Sequence, residues 1–486
     1  MSFVVVSIIS TLIVLGIMVL VHEFGHFAVA KLCGVRVEVF SIGFGKRLFG
    51  WRRGDTDYRV SLLPLGGYVK MAGELGGDGT IPASSAAAKD PAPGEGTAAS
   101  QATTANATAP DQLVKDRGDL NGKPRWQRIA IALAGPFSNF ILALVLMTGF
   151  YMMHNEVELF RSQPANIDFV KQDTPASRAG LQAGDRITRF ESITHPTWEQ
   201  VSIRCALNMG QTVPVTYERN GQSVDTTLAI QAPGNPDDFS LENLGMVPVM
   251  QTTPVTVHSV EPAMPAAQTG LKAGDKILSV NGHSYHSVPA ILGFLQESKG
   301  APLDVTVDHN GATEKLQLKP VVAELGDGSK GYRMGFSPDL PPFRVEQLSL
   351  PLALHHSIQF NLKNSGLILE VLHRMVTRHM AMQNLSGPIG IARETGIAAT
   401  QPGWQPIIGL MAVISLNLGI FNLLPIPILD GGVILLLLIE GVMRRDLNQQ
   451  FKERIYQTAF VFLLIFAAFV IFNDITKLSL FSKVKP

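Results

Sequence analysis

With only two cysteines, Cys33 and Cys205, in 486 residues, the chain has no disulfide framework to hold a small scaffold together. Charge is scarce too. Lys, Arg, Asp and Glu make up 16% of the sequence, and 40 basic residues against 40 acidic ones leave a formal net charge of zero. No global field therefore draws the chain to nucleic acid. Few charges alongside 46% hydrophobic residues exclude an ordinary soluble enzyme, while the polar stretches between apolar ones exclude a plain bundle of membrane helices. The length leaves room for about three domains of roughly 150 residues each.

What the chain has instead is four long apolar runs, at residues 3–27, 129–151, 407–424 and 455–472, each near the ~20 residues a spanning helix requires. The first lacks a basic leader and a small-residue cleavage site, and Lys31 follows it, so it reads as an uncleaved span rather than a signal peptide. Basic residues set the orientation. Lys31, Arg36, Lys46, Arg47, Arg52 and Arg53 follow the first run, Arg125 and Arg128 precede the second, and Arg444, Arg445, Lys452 and Arg454 separate the third from the fourth. Loops 34–128 and 444–454 are therefore expected in the cytoplasm, and the region between the second and third runs on the other side, the periplasm of a Gram-negative bacterium. Cys33 and Cys205 then lie on opposite sides, unpaired and structural.

The first run ends in His22-Glu23-Phe24-Gly25-His26. Residues four apart share one helix face, so His22 and His26 can offer two imidazole nitrogens to one zinc ion with Glu23 beside the metal's water. Ionisable groups at bilayer depth cost roughly 2.5 to 3.5 kcal/mol each on insertion scales, which favours a paired or ligating role. The third run carries Asn422-Leu423-Leu424-Pro425-Ile426-Pro427-Ile428-Leu429-Asp430-Gly431-Gly432. Two prolines one residue apart cannot continue a regular helix, and the backbone groups they free are tolerated in a membrane only where protein or a cavity satisfies them. Read alone, Asp430 would be a helix cap. With HEFGH in the same membrane it becomes a third zinc ligand, leaving the fourth position open for water.

Between the second and third runs an internal repeat appears. Pro175-Ala176, Gly180-Leu181, Ala183-Gly184-Asp185 and Ile187 recur ninety residues later as Pro265-Ala266, Gly270-Leu271, Ala273-Gly274-Asp275 and Ile277. Two copies of one small domain follow. The dipeptides Asn220-Gly221 and Asn310-Gly311 keep the same offset and predict hairpin turns between short runs rich in Val, Leu and Thr. The pattern resembles bacterial PDZ domains, which add an extended peptide to a sheet edge. Leu244-Gly245-Met246 and Met334-Gly335-Phe336 resemble that family's carboxylate-binding loop, in which backbone N–H groups hold a chain terminus. Each loop follows its own repeat motif, implying a circularly permuted strand order. Empty grooves serving as spacers or steric filters remain the alternative.

HEFGH in the first span, Ala134-Gly135-Pro136-Phe137-Ser138-Asn139 in the second, NLLPIPILDGG in the third and the tandem repeat between them together resemble the site-2 protease family of intramembrane zinc metalloproteases, over nearly the whole chain. The resemblance implies that His22, His26 and Asp430 hold Zn2+, that Glu23 is the general base, and that Asn422, Pro425, Pro427 and Tyr68 contact substrate. It also implies an alternating stretch, such as Val35-Arg36-Val37-Glu38-Val39 and Tyr58-Arg59-Val60-Ser61-Leu62, that forms a membrane-associated β region able to pair with an extended substrate. The expected substrates are single-pass membrane proteins, namely an anti-sigma factor trimmed on its periplasmic side and remnant signal peptides. A silent peptide-collecting scaffold would not need HEFGH with Asp430, and a metal transporter, which intramembrane His and Asp could also mark, would call for further ionisable residues on the second and fourth spans, which offer few.

The expected fold is a multi-pass α-helical membrane protein with four transmembrane helices, a membrane-associated β region and two periplasmic PDZ domains. Its parts are the first helix at 1–33, the β region at 34–75, a disordered cytoplasmic insert at 76–120 rich in Ala, Thr, Ser, Gly and Pro, and the second helix at 126–152. The PDZ domains follow at 157–250 and 251–342, then an amphipathic periplasmic helical region at 345–400, the third helix with its LDG motif at 405–445 and the fourth at 454–474. The histidines of the amphipathic region, His355, His356, His373 and His379, read as part of a membrane-surface gate rather than a second metal site. Glu440 stays outside the site.

Overall fold

The first span is one continuous helix, Phe3–Leu32, whose thirty residues reach about 45 Å at 1.5 Å per residue. It belongs to a computed structural model that describes residues 3–73, 118–153, 155–232, 241–324, 330–339, 341–377 and 387–477. Most of the insert, including all of 76–112, and His379 lie outside the described residues. Among the described residues three more helices are long and apolar enough to cross a membrane: Arg125–Met152, Gln405–Asn422 and Gln449–Thr476. They belong with Phe3–Leu32 to one compact unit made of Met1–Met153, Gln347–Leu369 and Leu385–Pro486.

Small residues bring these helices together, as they must where lipid supplies no hydrophobic drive between helices. Gly25 of the first helix lies against Ala134 and Ser138 of the second, where any Cβ would overlap the Ala134 carbonyl. Ser415 of Gln405–Asn422 donates to the Asn139 carbonyl at 2.8 Å, and Ala143, Leu416 and Ile420 close a small core between the same two helices. The amphipathic region expected at 345–400 is two helices in the described residues. Leu350–Val376 exposes Leu354, Ile358 and Leu362. Pro388–Thr400 instead packs on the first helix, with Gly396 directly over Ser7. Its N-terminus is held by Asp474 of the last helix, whose carboxylate accepts from the N–H groups of Gly387, Ile389 and Gly390 at 2.9 to 3.2 Å. Placing an anion on those free N–H groups is what a helix start favours.

The alternating stretch forms two long bent strands, Val37–Arg53 and Thr56–Met71. They fold over each other so that Val39 to Ile42 face Asp57 to Val60 on one side and Lys70 to Gly67 on the other. Among the described residues no further strand pairs with 67–71, which is thus an edge of the sheet. The end of the insert is ordered against the sheet's base, where Arg36 N–H donates to Gly118 and Leu120 N–H to Ala72, both at 2.8 Å.

The second unit, His154–Glu346 with Glu370–Asn384, contains both repeats. Asn220 and Gly221 have φ of 49° and 77°, and Asn310 and Gly311 have 49° and 89°, the double positive φ of a type I′ hairpin. Each glycine loop returns a strand to the start of its own domain: Met246–Pro248 pairs with Ile167–Val170, and Phe336–Pro338 with Val255–Val260, as the permuted order requires. The aspartates of the repeated Ala-Gly-Asp are structural. Asp185 caps Gln182 N–H and binds Arg219 at 2.7 Å, and Asp275 caps Lys272 N–H and meets His309 at 2.5 Å.

The two copies share a core. Phe169 and Val247 of the first are buried among Ile291, Leu295 and Tyr285 of the second. Asp168, beside Phe169, accepts from Ser287 Oγ at 2.6 Å and from His286 N–H at 2.9 Å, which ties the first copy to the segment leading into helix Val288–Glu297 of the second. Burial pushes the Asp168 carboxyl up from its ordinary range, and those hydrogen bonds pull it part of the way back. Truncating Phe169→Ala should cost about 3 to 5 kcal/mol and raise hydrogen exchange in Val288–Glu297. Unchanged exchange there would show that the shared core does not couple the copies.

Candidate metal centre

Two imidazoles and a carboxylate converge where the first, second and third apolar segments meet. His22 and His26 stand one turn apart, rings 4.8 Å between centroids and nearly perpendicular at 84°. Their Nε2 atoms are 3.2 Å apart; Asp430 Oδ2 lies 3.2 Å from that of His22 and Oδ1 3.4 Å from that of His26. Three donors of a tetrahedral zinc, each ~2.0 to 2.1 Å from the ion, stand about 3.3 Å from one another. The donor set and its spacing therefore fit zinc, and among the described residues no other His, Cys, Asp and Glu group gathers its ligand atoms this closely.

The second helix orients the ligands. His26 Nδ1 lies 2.8 Å from the Ile131 carbonyl, which accepts the Nδ1 proton and leaves the Nε2 lone pair for a metal. His22 Nδ1 faces the buried Asn139 amide, with Nδ2 at 3.1 Å and Oδ1 left without a partner. Ligation through Nε2 requires the proton on Nδ1, so the group that belongs against it is Oδ1; turning the amide over satisfies both atoms at once. Gly135 makes this approach possible, since a Cβ there would overlap His26 Nε2. Asn139 and Gly135 were legible only as part of a quoted motif, because nothing in a linear sequence says which helix face meets the histidines.

Asp430 reaches the site because the third segment breaks. Helix Gln405–Asn422 stops, the chain turns through Pro425 and Pro427, and helix Asp430–Met443 restarts with Asp430 as its first residue. Ile428 takes φ of 91°, a conformation that is strained for a β-branched residue and that sets the direction in which Asp430 leaves the turn. Gly431 and Gly432 lie against the turn carbonyls of Leu423, Leu424 and Ile426, where side chains would not fit. Asn422 ends the helix before the break, and its amide has no hydrogen-bond partner among the described residues.

Glu23 turns toward the sheet. Its Oε2 accepts the Val69 N–H at 3.1 Å, from the open edge 67–71. Tyr68 is the neighbouring residue on that edge and stacks on Phe44 with centroids 5.9 Å apart. In the repeats, the side chains of Leu244, Met246 and Met334 are buried in the domain cores, while Phe336 is half-buried against the second core; beside Phe336, it is the backbone groups of these loops that are left to meet a peptide. Gly245 and Gly335, with φ of 86° and 84°, are backed by Thr174 and Met264. Glu440, absent from the expected site, is fully buried and pairs with Lys452 at 2.5 Å.

A family model described as peptidase family M50 matches residues 10–466. Curated relatives include the regulator of sigma-E protease RseP of Salmonella typhimurium, 30% identical over 482 residues that cover 96% of this chain and 98% of that protein. The protease RseP of Yersinia pestis is 30% identical, with 97% and 99% covered, and the RseP of Escherichia coli is 29% identical, with 96% and 98% covered. Among solved structures, the PDZ domain of an SdrC-like protein from Listeria monocytogenes matches 18% of this chain at 25% identity and a TM-score of 0.16.

Replacing Asn139→Ala should weaken zinc binding by about 10- to 100-fold, read by competition with a chromophoric chelator on the purified, folded protein. An unaltered affinity would remove Asn139 from the support of His22.

Proposed function

The chain belongs to peptidase family M50, the site-2 type of metalloprotease, and from that premise we propose that it is an inner-membrane zinc protease that cuts single-pass membrane proteins within or near their spanning segment. The observation that carries this reading is the meeting of His22, His26 and Asp430 beside a glutamate whose carboxylate is hydrogen-bonded to an open strand edge.

In the proposed arrangement His22, His26 and Asp430 hold the zinc. When bound, the ion supplies a Lewis acid that polarises the scissile carbonyl and acidifies water to a pKa of about 7. Glu23 is then the general base. Oε2 is occupied by the Val69 N–H, which leaves Oε1 to take a proton from the attacking water and deliver it to the departing amide nitrogen. No covalent intermediate on the protein is needed.

A peptide bond inside an intact helix is hydrogen-bonded and shielded, so substrate must be held extended. The edge 67–71 would serve as its template by strand addition, with Tyr68 beside it, and Asn422, Pro425 and Pro427 would line the other side, Asn422 offering its amide to an unwound backbone. The substrates proposed are an anti-sigma factor shortened on its periplasmic side and remnant signal peptides. The PDZ-type repeats, placed in the periplasm, would exclude substrates that keep a bulky domain.

Glu23→Gln should retain zinc and lose about 10²- to 10⁴-fold in cleavage of a tagged single-pass substrate in detergent, and a chelator should abolish the activity of the wild type. Cleavage that persists in both would overturn the reading. Deleting residues 157–342 should release cleavage of untrimmed substrate; reduced cleavage would mean that the repeats activate rather than exclude.

A further inference from the structure

Two contacts fix the strand edge 67–71 along the helix that carries His22, Glu23 and His26. Gly66, at φ of 110°, lies against Val19 with no room for a Cβ, and one helical turn beyond Val19 the Glu23 Oε2 accepts the Val69 N–H at 3.1 Å. Helix and strand therefore hold one register beside Glu23.

That register decides which backbone groups the edge presents. Val39, Phe40, Ser41 and Ile42 pair in single steps with Lys70, Val69, Tyr68 and Gly67. In an antiparallel pair the N–H and C=O of one residue point to the same side, and successive residues alternate between sides. The Val69 N–H leaves the sheet for Glu23, so Gly67 and Val69 turn their backbone groups outward while Tyr68 and Lys70 turn theirs to the neighbouring strand. Of these outward groups the Val69 N–H is engaged. A strand laid on this edge can exchange bonds with Gly67 and donate to the Val69 carbonyl, yet its own carbonyl opposite the Val69 N–H finds that donor taken by Glu23.

Building on the proteolytic reading above, we propose that this gap in the ladder selects the bond that is cut: the scissile carbonyl is the one opposite the Val69 N–H, which makes Val69 a positioning residue that sets the cleavage register. A carbonyl paired in a β ladder has its oxygen held toward the neighbouring strand by a donor, and it must give up that bond before water can add to its carbon. Opposite Val69 no such bond forms. The same N–H keeps Glu23 beside that carbonyl and leaves Oε1 for the water. The bond broken joins this carbonyl carbon to the next nitrogen, water supplying OH to the carbon and H to the nitrogen. Neighbouring peptide groups stay paired, so the substrate is gripped next to the bond and loose only at it.

The test uses the full chain in detergent with tagged single-pass segments. In a Val69→Cys/Glu23→Gln chain, a cysteine walked residue by residue through the segment shows by disulfide trapping which residue lies opposite position 69, with the chain lacking the added cysteine as background. Mass spectrometry of wild-type products gives the bond cut. The trapped residue should be the one that contributes the scissile carbonyl in an antiparallel segment, or the next along in a parallel one, and it should keep that offset in segments lengthened by inserted residues. A second measurement replaces the Val69 amide by an ester, removing the N–H and keeping the side chain. That change should lower kcat by about 10- to 100-fold, as for one hydrogen bond to a charged group, with KM and bound zinc unchanged, whereas an ester at Gly67 should raise KM by about two- to tenfold. A trapped residue that wanders relative to the cut would overturn the proposal. So would an ester at Val69 that raises KM and spares kcat, since the substrate carbonyl would then be taking the N–H from Glu23. Trapping at position 69 without any cleavage by the wild type would instead sink the proteolytic reading.

Discussion

Everything in the membrane unit depends on one close approach, that of the first two helices at Gly25 and Gly135. Ionisable side chains among apolar helices are tolerated only when each polar atom finds a partner, and here the partners belong to a neighbouring helix that must come within hydrogen-bonding reach. A methyl group at Gly25 would strike the Ala134 carbonyl, and one at Gly135 would strike His26 itself. The two glycines therefore determine that Ile131 and Asn139 can reach the imidazoles, and so which ring nitrogens face Asp430.

The second dependence is on backbone that is not regular helix. The turn between Asn422 and Asp430 gives up helical hydrogen bonds and holds Ile428 in a strained conformation, and in return it delivers a carboxylate to within 3.4 Å of both histidines. The strand edge 67–71 has no further strand beside it among the described residues, and its Val69 N–H is taken by Glu23. Both irregular segments adjoin the metal centre, where a cavity or a bound chain can satisfy what they leave open. The repeats follow an opposite logic. Their junction is closed, with Phe169 in the neighbour's core and Asp168 hydrogen-bonded to the neighbour's Ser287 and His286.

Much of this was legible in the residues. Apolar length marked the spans, the spacing of His22 and His26 implied one shared face, the prolines at 425 and 427 announced a break, and the Asn-Gly pairs announced their hairpins at the same offset as the repeat. Less was legible where meaning depends on a distant partner. Thr395 and Gly396 read as part of a surface helix until the first helix is seen packed on them, and Asp474 read as an ordinary residue at the end of a span until the N-terminus at Gly387 is seen beneath it. Phe169 gave no sign that its ring belongs to the second repeat.

The sequence by itself determined the chemistry available: two imidazoles one helical turn apart, a glutamate between them, a carboxylate after a proline-broken run and a duplicated β domain. These are local or periodic properties, written in neighbouring residues and recoverable from spacing. Only the tertiary structure decided which groups hold these parts in place, namely the Asn139 amide on His22, the Ile131 carbonyl on His26, the Val69 N–H on Glu23 and the Asp168–Ser287 hydrogen bond across the repeats. Such pairings join residues from 46 to 119 positions apart. They are fixed by helix packing and strand register, which set distances that no local pattern encodes.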